Sequence, residues 1–412
     1  MALNYIWIGF FLIAFVVALI RLIFFGDTDI FMHLVSGILN SSKSSVMDIA
    51  LPLAGNMAFW LGIMNIGEKA GAMNFLSRIV GPFFSRLFPG IPKNHPATGN
   101  VLMSFSANLL GLDNAATPLG LKAMDSMQEL NEDKETASNA QIMYLVLLTS
   151  GLQILPVTII AQRAVLNAHN PTDVLIPCII ATYVSAVAGM LLVAIKQKIN
   201  LFDRVIIAWL GTITLLISLM IWYFTTHLTK EQISLVSNVV SNLLLYMVPV
   251  VFILGALYKK VNVFETFIDG AKKGFETSVK IIPYLVAMLV GIAVFRACGA
   301  LDYMNNGLRW ICVQFNLDTR FVDAMPVAYL KPLSGSGSKG MMITVMQNFK
   351  PDSFAGRLAC VFNGSSDTTF YIVALYFGSV GIKRSRYAIP AGLFADFAGI
   401  IAAIFISYLF FG

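Results

Sequence analysis

Leu110-Gly111-Leu112-Asp113-Asn114-Ala115-Ala116-Thr117-Pro118 and Lys331-Pro332-Leu333-Ser334-Gly335-Ser336-Gly337-Ser338-Lys339 are polar, helix-breaking knots, each set inside a long apolar stretch. Each is followed by another apolar segment with its own interruption, at Thr149-Ser150-Gly151-Leu152-Gln153 and at Asn363-Gly364-Ser365-Ser366-Asp367-Thr368-Thr369. Peptide groups released from helical hydrogen bonds cannot face lipid. Breaks at membrane depth therefore survive only where they line a cavity or pack inside protein. Matched breaks in two halves of a membrane chain point to a solute site.

The rest of the chain agrees with a membrane setting. It is 57% hydrophobic and 12% charged over 412 residues, with mean hydropathy +0.76, the composition of an all-α polytopic membrane protein. The opening residues carry no basic region and no small-residue cleavage site, so 4–25 reads as a retained transmembrane helix. Cys178, Cys298, Cys312 and Cys360 are scattered without ligand spacing and read as packing residues. The net charge of +6 is explained by basic residues flanking the spans, and no nucleic-acid partner is expected. No nucleotide loop, zinc motif or nucleophile elbow occurs, and no enzyme is expected.

About twenty apolar residues cross a bilayer. On that measure full spans fall near 4–25, 46–66, 139–163, 173–196, 204–227, 233–258, 279–297, 354–380 and 387–411. Two interrupted segments, about 96–130 and 322–348, are too long for one span and too broken for two; each reads as a re-entrant helical hairpin. Amphipathic stretches at 67–92 and near 300–318 precede them and suit helices lying along the interface.

The halves echo one another. Ala70-Gly71-Ala72-Met73-Asn74-Phe75-Leu76 lines up with Cys298-Gly299-Ala300-Leu301-Asp302-Tyr303-Met304, and Ile176-Pro177 with Ile389-Pro390. Both halves run span, span, interfacial helix, hairpin, broken span, span. With 204–227 as a single linking span, parity turns the second half upside down, giving two inverted repeats, each with a re-entrant hairpin and a broken transmembrane helix. We expect residues 1–200 and 233–412 to form the repeats, with 201–232 between them. Lys69, Arg78, Arg86, Lys134, Lys196, Lys198, Lys259, Lys260, Lys272, Lys273, Lys383 and Arg384 gather on one side, which should be cytoplasmic. The N-terminus then lies inside and the C-terminus outside the cytoplasmic (inner) membrane.

Asp113 and Asp367 are the sharpest candidates for chemistry, because a carboxylate at bilayer depth is costly unless paired or hydrated. Both are also placed to cap the short helix that follows, and the two roles are compatible. Around them lie Asn108, Asn114, Thr117, Ser150, Gln153, Ser334, Ser336, Ser338, Asn363, Ser365, Ser366, Thr368 and Thr369. Their hydroxyls and amides, with loosened carbonyls, suit Na⁺ or a small polar solute. For any one serine the simpler role is an interhelical hydrogen bond; for the set, clustered at four breaks, a binding site is the better account. Lys331 and Lys339 bracket the Ser-Gly repeat, fit to meet an anionic solute, to pair with Asp113 or Asp367, or to snorkel to the interface. Asp396 lies deep in the last span, like a structural or proton-linked carboxylate.

Residues 1–200 resemble the spore maturation protein A family through Asn65-Ile66-Gly67-Glu68-Lys69-Ala70-Gly71, His95-Pro96-Ala97 and the run from Ala107 to Met124. Residues from about 235 resemble the spore maturation protein B family through Gly270-Ala271-Lys272-Lys273-Gly274-Phe275-Glu276-Thr277, Pro332-Leu333-Ser334-Gly335-Ser336-Gly337 and Tyr376-Phe377-Gly378-Ser379-Val380-Gly381. Both families belong to a wider group carrying the Gate, or nucleoside-recognition, domain, shared with concentrative nucleoside transporters. The resemblance implies a secondary-transporter fold that forms homo-oligomers, needing no cofactor beyond Na⁺ or H⁺ as a coupling ion. The nucleoside transporters carry a Gln and a Glu before the proline of their first hairpin. Here that stretch reads Gly111 to Pro118 with neither, so the base-reading and ribose-reading groups are not reproduced. The alternative reading is a non-transporting Gate-fold scaffold or regulator of an envelope partner.

Overall fold

The computed structural model describes residues 2–92, 95–111, 113–151 and 153–412, and the side chains of Asp113, Asn114 and Ala115 lie outside what it describes. Among the described residues every regular element is helical. The first is α1 (Ala2–Phe25), then α2 (Ile30–Ser44), which runs through a π-helical turn at Ser45–Ala50 into α3 (Leu51–Ala70). Pro52 explains the wide turn: proline cannot donate to the preceding turn and crowds its carbonyl, which an inserted residue relieves. The expected span 46–66 is therefore one half of a 41-residue helix, Ile30–Ala70.

Gly71 ends α3 at φ +83°, and α4 (Ala72–Leu87) leaves at a new angle. The second half repeats this joint: α12 (Val263–Ala297) reaches Gly299 at φ +89°, and α13 (Ala300–Gln314) is bent 68° from it. Left-handed backbone is cheap only for glycine. The short sequence echo around Gly71 and Gly299 thus marks one shared structural joint.

Two helix-turn-helix pairs follow these joints. In the first, α5 (Pro96–Leu109) packs on α6 (Asp113–Glu129), with Asn100 Nδ2 donating to Ser126 Oγ at 2.8 Å. In the second, α14 (Met325–Leu330) packs on α15 (Gly335–Phe349). Each pair precedes a broken helix: α7 (Asn139–Thr149) with α8 (Val157–Val165), and α16 (Phe354–Gly364) with α17 (Thr369–Ser379). Unbroken helices close each half, α9 (Leu175–Gln197) and α18 (Ala388–Phe411), while α10 (Arg204–His227) links the halves in sequence and α11 (Lys230–Tyr258) opens the second.

Six described helices are long and apolar enough to cross a membrane, or seven if α12 and α13 count as one bent span. The expected spans 139–163 and 354–380 do not qualify as single helices, because each is split. Leu215, Leu216, Leu219 and Trp222 of α10 are exposed, as are Leu243, Leu244, Val251 and Leu254 of α11. Such continuous apolar faces suit lipid, not water.

Packing rests on two close crossings. α12 lies along α3, where a methyl group on Gly274 would meet the Met57 carbonyl at 2.5 Å. α9 lies along α18, with Ser185 Oγ donating to Ala395 O at 2.8 Å. Small residues that let backbones approach are how helices associate where no hydrophobic force separates protein from lipid.

Candidate functional site

The four interruptions meet. At the tip of the first helix pair, Gly111 (φ +71°) sits so close to the first broken helix that a methyl group there would lie 2.9 Å from Leu155 O. Beside it, Ile154 N donates to Leu109 O at 2.9 Å. The two broken helices touch at their breaks, where Asp367 N donates to Thr149 O at 2.6 Å. The second pair joins the second break through Phe370 N to Pro332 O, 3.1 Å. Peptide groups freed from helices α5, α7, α14 and α17 thus satisfy one another in series, which is how buried breaks avoid the cost of unpaired amides.

The closing helices support this chain from behind. Thr182 of α9 donates to both freed carbonyls of the first break, Ser150 O at 2.9 Å and Gly151 O at 3.0 Å. On the matching helix α18, buried Asp396 accepts from Thr369 Oγ1 at 2.7 Å, at the start of α17. Reading the sequence placed Asp396 deep in the last span, and the structure brings it to the second break; it missed Thr182, since one threonine within an apolar span carries no local signal.

The predicted residues separate into two groups. Ser150 and Ser365 are buried and bond back into their own helices, to Val146 O at 2.8 Å and Phe362 O at 2.9 Å. Asn363 Nδ2 donates to Ser338 Oγ at 3.1 Å, which joins α16 to α15; both side chains are buried. These four are hydrogen-bonded within the protein. Ser334 caps α15, accepting from Gly337 N at 2.9 Å, with Ser336 Oγ 3.4 Å away. Ser366, Thr368 and Thr369 are buried at the second break, and the Thr368 hydroxyl has no hydrogen-bond partner among the described residues. Asp367 is exposed, with its carboxylate accepting from Thr368 N at 2.7 Å, while Asn108, Thr117, Gln153 and Ser336 are half-buried. Asp113 and Asn114 begin α6, but their side chains fall outside the described residues.

Lys331 neither snorkels nor pairs with Asp367. It is buried at the second tip, donating to Asn363 O at 2.5 Å.

Two ionic clasps flank the meeting point. In one, the segment after the first helix pair grips the segment between α17 and α18. Lys383 N and Arg384 N donate to Glu135 O, each at 2.9 Å; Lys383 pairs with Glu135 at 2.6 Å and Arg384 with Asp133 at 3.3 Å. In the other, the turn after the second pair grips the end of α8 and the segment between α8 and α9. Arg163, wholly buried, reaches Pro351 O at 2.7 Å, Asp352 at 3.2 Å and Asp173 at 2.8 Å, and Arg357 also holds Asp173. The Asp133 carboxyl is held below its ordinary 3.8 by the Thr136 hydroxyl first, then by the Glu135 amide and Arg384.

Comparison with known proteins agrees with the repeated architecture. A family model described as Gate, nucleoside recognition, matches residues 50–165 and 278–383. Spore maturation protein B of Bacillus subtilis (strain 168) is 42% identical over 178 residues, covering 42% of this chain and 98% of that protein. Spore maturation protein A of the same organism is 36% identical over 189 residues, covering 46% of this chain and 92% of that protein.

Proposed function

The chain belongs to the Gate, or nucleoside-recognition, family, and from that premise we propose that it is a secondary transporter for a small polar solute. It is a multi-pass membrane protein. In this reading the halves are inverted repeats, residues 1–200 and 233–412, joined by 201–232, and act as spore maturation proteins A and B would if joined in one chain. The helix pairs α5–α6 and α14–α15 re-enter the cytoplasmic membrane from opposite faces, with the N-terminus inside. The reciprocal clasps support the inversion. Each binds the segment after one helix pair to the segment before the other half's closing helix, the reciprocity that a two-fold relation between the halves requires.

One observation carries the transport reading: four chain breaks joined backbone to backbone at Leu109–Ile154, Thr149–Asp367 and Pro332–Phe370. A scaffold needs no broken helices, whereas a carrier uses them to line a site. Solute binds beside the exposed Asp367, with Na⁺ or H⁺ as the coupling ion and with movement of one repeat against the other. No enzyme chemistry and no nucleic-acid partner enter this reading, and the working form is a homo-oligomer. The test is reconstitution into proteoliposomes under imposed Na⁺ and pH gradients, with uptake measured for nucleosides, amino acids and organic acids. Gradient-driven uptake of one class is expected, lost in Asp367→Asn. A folded protein that moves none of them supports the rival reading of a Gate-fold scaffold for an envelope partner. That rival draws on the internal satisfaction of Ser150, Ser338, Asn363 and Ser365.

A further inference from the structure

The tip of the second helix pair buries an ammonium that no described carboxylate touches. Lys331 is 4% exposed and donates to Asn363 O. An ammonium has three donors, and no described carboxylate lies within ion-pair distance of it. Asp367 accepts from Thr368 N, and Asp396 accepts from Thr369 Oγ1 while its other carboxylate oxygen has no partner among the described residues. Asn363 lies in the last turn of α16, so Lys331 also caps that helix, whose carbonyl end favours a cation.

Four residues on, α15 begins. The first amides of a helix have no intrahelical acceptor, and Ser334 satisfies only that of Gly337. A methyl group built on Gly335 would meet Thr368 Oγ1 at 2.9 Å and, within 4 Å, nothing beyond that side chain. On that side Gly335 is bounded by the Thr368 side chain alone. Thr368 is 1% exposed and its hydroxyl has no partner among the described residues. Lys339 stands one turn further along the same face as Gly335 and is half-buried.

We propose that the transported solute is a small oxyanion, carboxylate or phosphate, received at the start of α15. The Gly335 and Ser336 amides, the Thr368 hydroxyl and the ammonium groups of Lys331 and Lys339 bind its oxygens. A helix N-terminus carries partial positive charge and free donors, which is the chemistry of anion binding. The proposal rests on the transport reading. Asp367 adjoins Thr368 in the chain, so an anion enters only with a cation or proton beside that carboxylate, which gives ion coupling a chemical reason.

The test is thermal melting of the purified full-length protein at constant Na⁺ and ionic strength. Sodium acetate, sodium glutamate and sodium phosphate are compared with sodium chloride, and uridine and glucose serve as neutral probes. Binding to the folded state raises its melting temperature. A rise of a few degrees with carboxylates or with phosphate is expected, and the separate arms show which. Lys331→Gln should abolish it. Because Lys331 also caps α16, Thr368→Val, which keeps shape and removes the hydroxyl, is the second variant and should weaken it. No oxyanion response in wild type, or an unchanged response in both variants, overturns the proposal. A response to a neutral probe alone overturns the anion while leaving the transport reading intact. Silence to every probe, together with no flux in proteoliposomes, sinks both.

Discussion

Gly151 stands where the broken helices touch, at φ +58°, and a methyl group there would lie 2.8 Å from Asp367 N and Ser366 C. Both atoms belong to backbone, which cannot swing aside as a side chain would. Gly151→Ala should therefore destabilise by about 1–3 kcal/mol, from left-handed strain and from parting the breaks. A melt in detergent would show it, and a stability equal to wild type would mean the breaks are not in contact. Asp367 calls for a different experiment, because its amide is structural while its exposed carboxylate is not. Asp367→Asn keeps the backbone bond to Thr149 and removes the charge. If the carboxylate holds Na⁺ or a proton, the dependence of melting on Na⁺ and pH should disappear in the variant. Responses identical to wild type would leave Asp367 with no role beyond its bond to the Thr368 amide, which Asn can also accept.

Among the elements, the broken helices and the closing helices are the ones that local sequence reveals, and α2 is the one that it hides. Gly, Ser, Pro and Asp in an apolar run announce lost helical bonds, which is why both tips and both breaks were legible. The helix Ile30–Ser44 was not, because Ser36, Gly37, Asn40, Ser41, Ser42 and Lys43 lower its hydropathy while Ile30 and Leu34 bury its inner face. Thr182 and the buried Arg163 were missed for another reason. Their partners lie on other elements, at Ser150 and Gly151 for the first and at Asp173 and Asp352 for the second, and no short window contains both ends. The support that Thr182 gives across elements is measurable. Thr182→Val keeps the side-chain volume and leaves two buried carbonyls without their donor, at a cost of about 1–3 kcal/mol. A loss confined to the surroundings of α7 and α8 in hydrogen exchange is the expected signature. An unchanged exchange pattern would show that water already serves those carbonyls.

Across the whole molecule, the two clasps differ in kind although they occupy equivalent places. Arg163 is wholly buried with Asp173 and binds two segments, 170–173 and 351–352, so Arg163→Ala leaves a buried carboxylate short of charge and should cost about 3 kcal/mol. The clasp of Asp133 and Arg384 is exposed. Its carboxyl is held below 3.8, so its contribution is present above about pH 4 and is lost as pH falls through that lowered value. Exchange of the Ala137 amide, bonded to Arg384 O at 3.0 Å, should accelerate below pH 4 in wild type but not in Asp133→Asn. The equivalence of the clasps makes a prediction about topology that does not depend on any solute. If the halves are inverted, the feet of the two helix pairs emerge on opposite faces of the membrane. Glu132 and Lys350 are exposed at those feet, and the native Cys178, Cys298, Cys312 and Cys360 are all buried, so background labelling is low. In intact cells an impermeant maleimide should reach Lys350→Cys and not Glu132→Cys, with Glu132→Cys reacting only after the membrane is opened. Labelling of both from the same side would mean that both pairs enter from one face. The inverted repeat would then fail, and with it any mechanism in which one repeat moves against its mirror in the membrane plane.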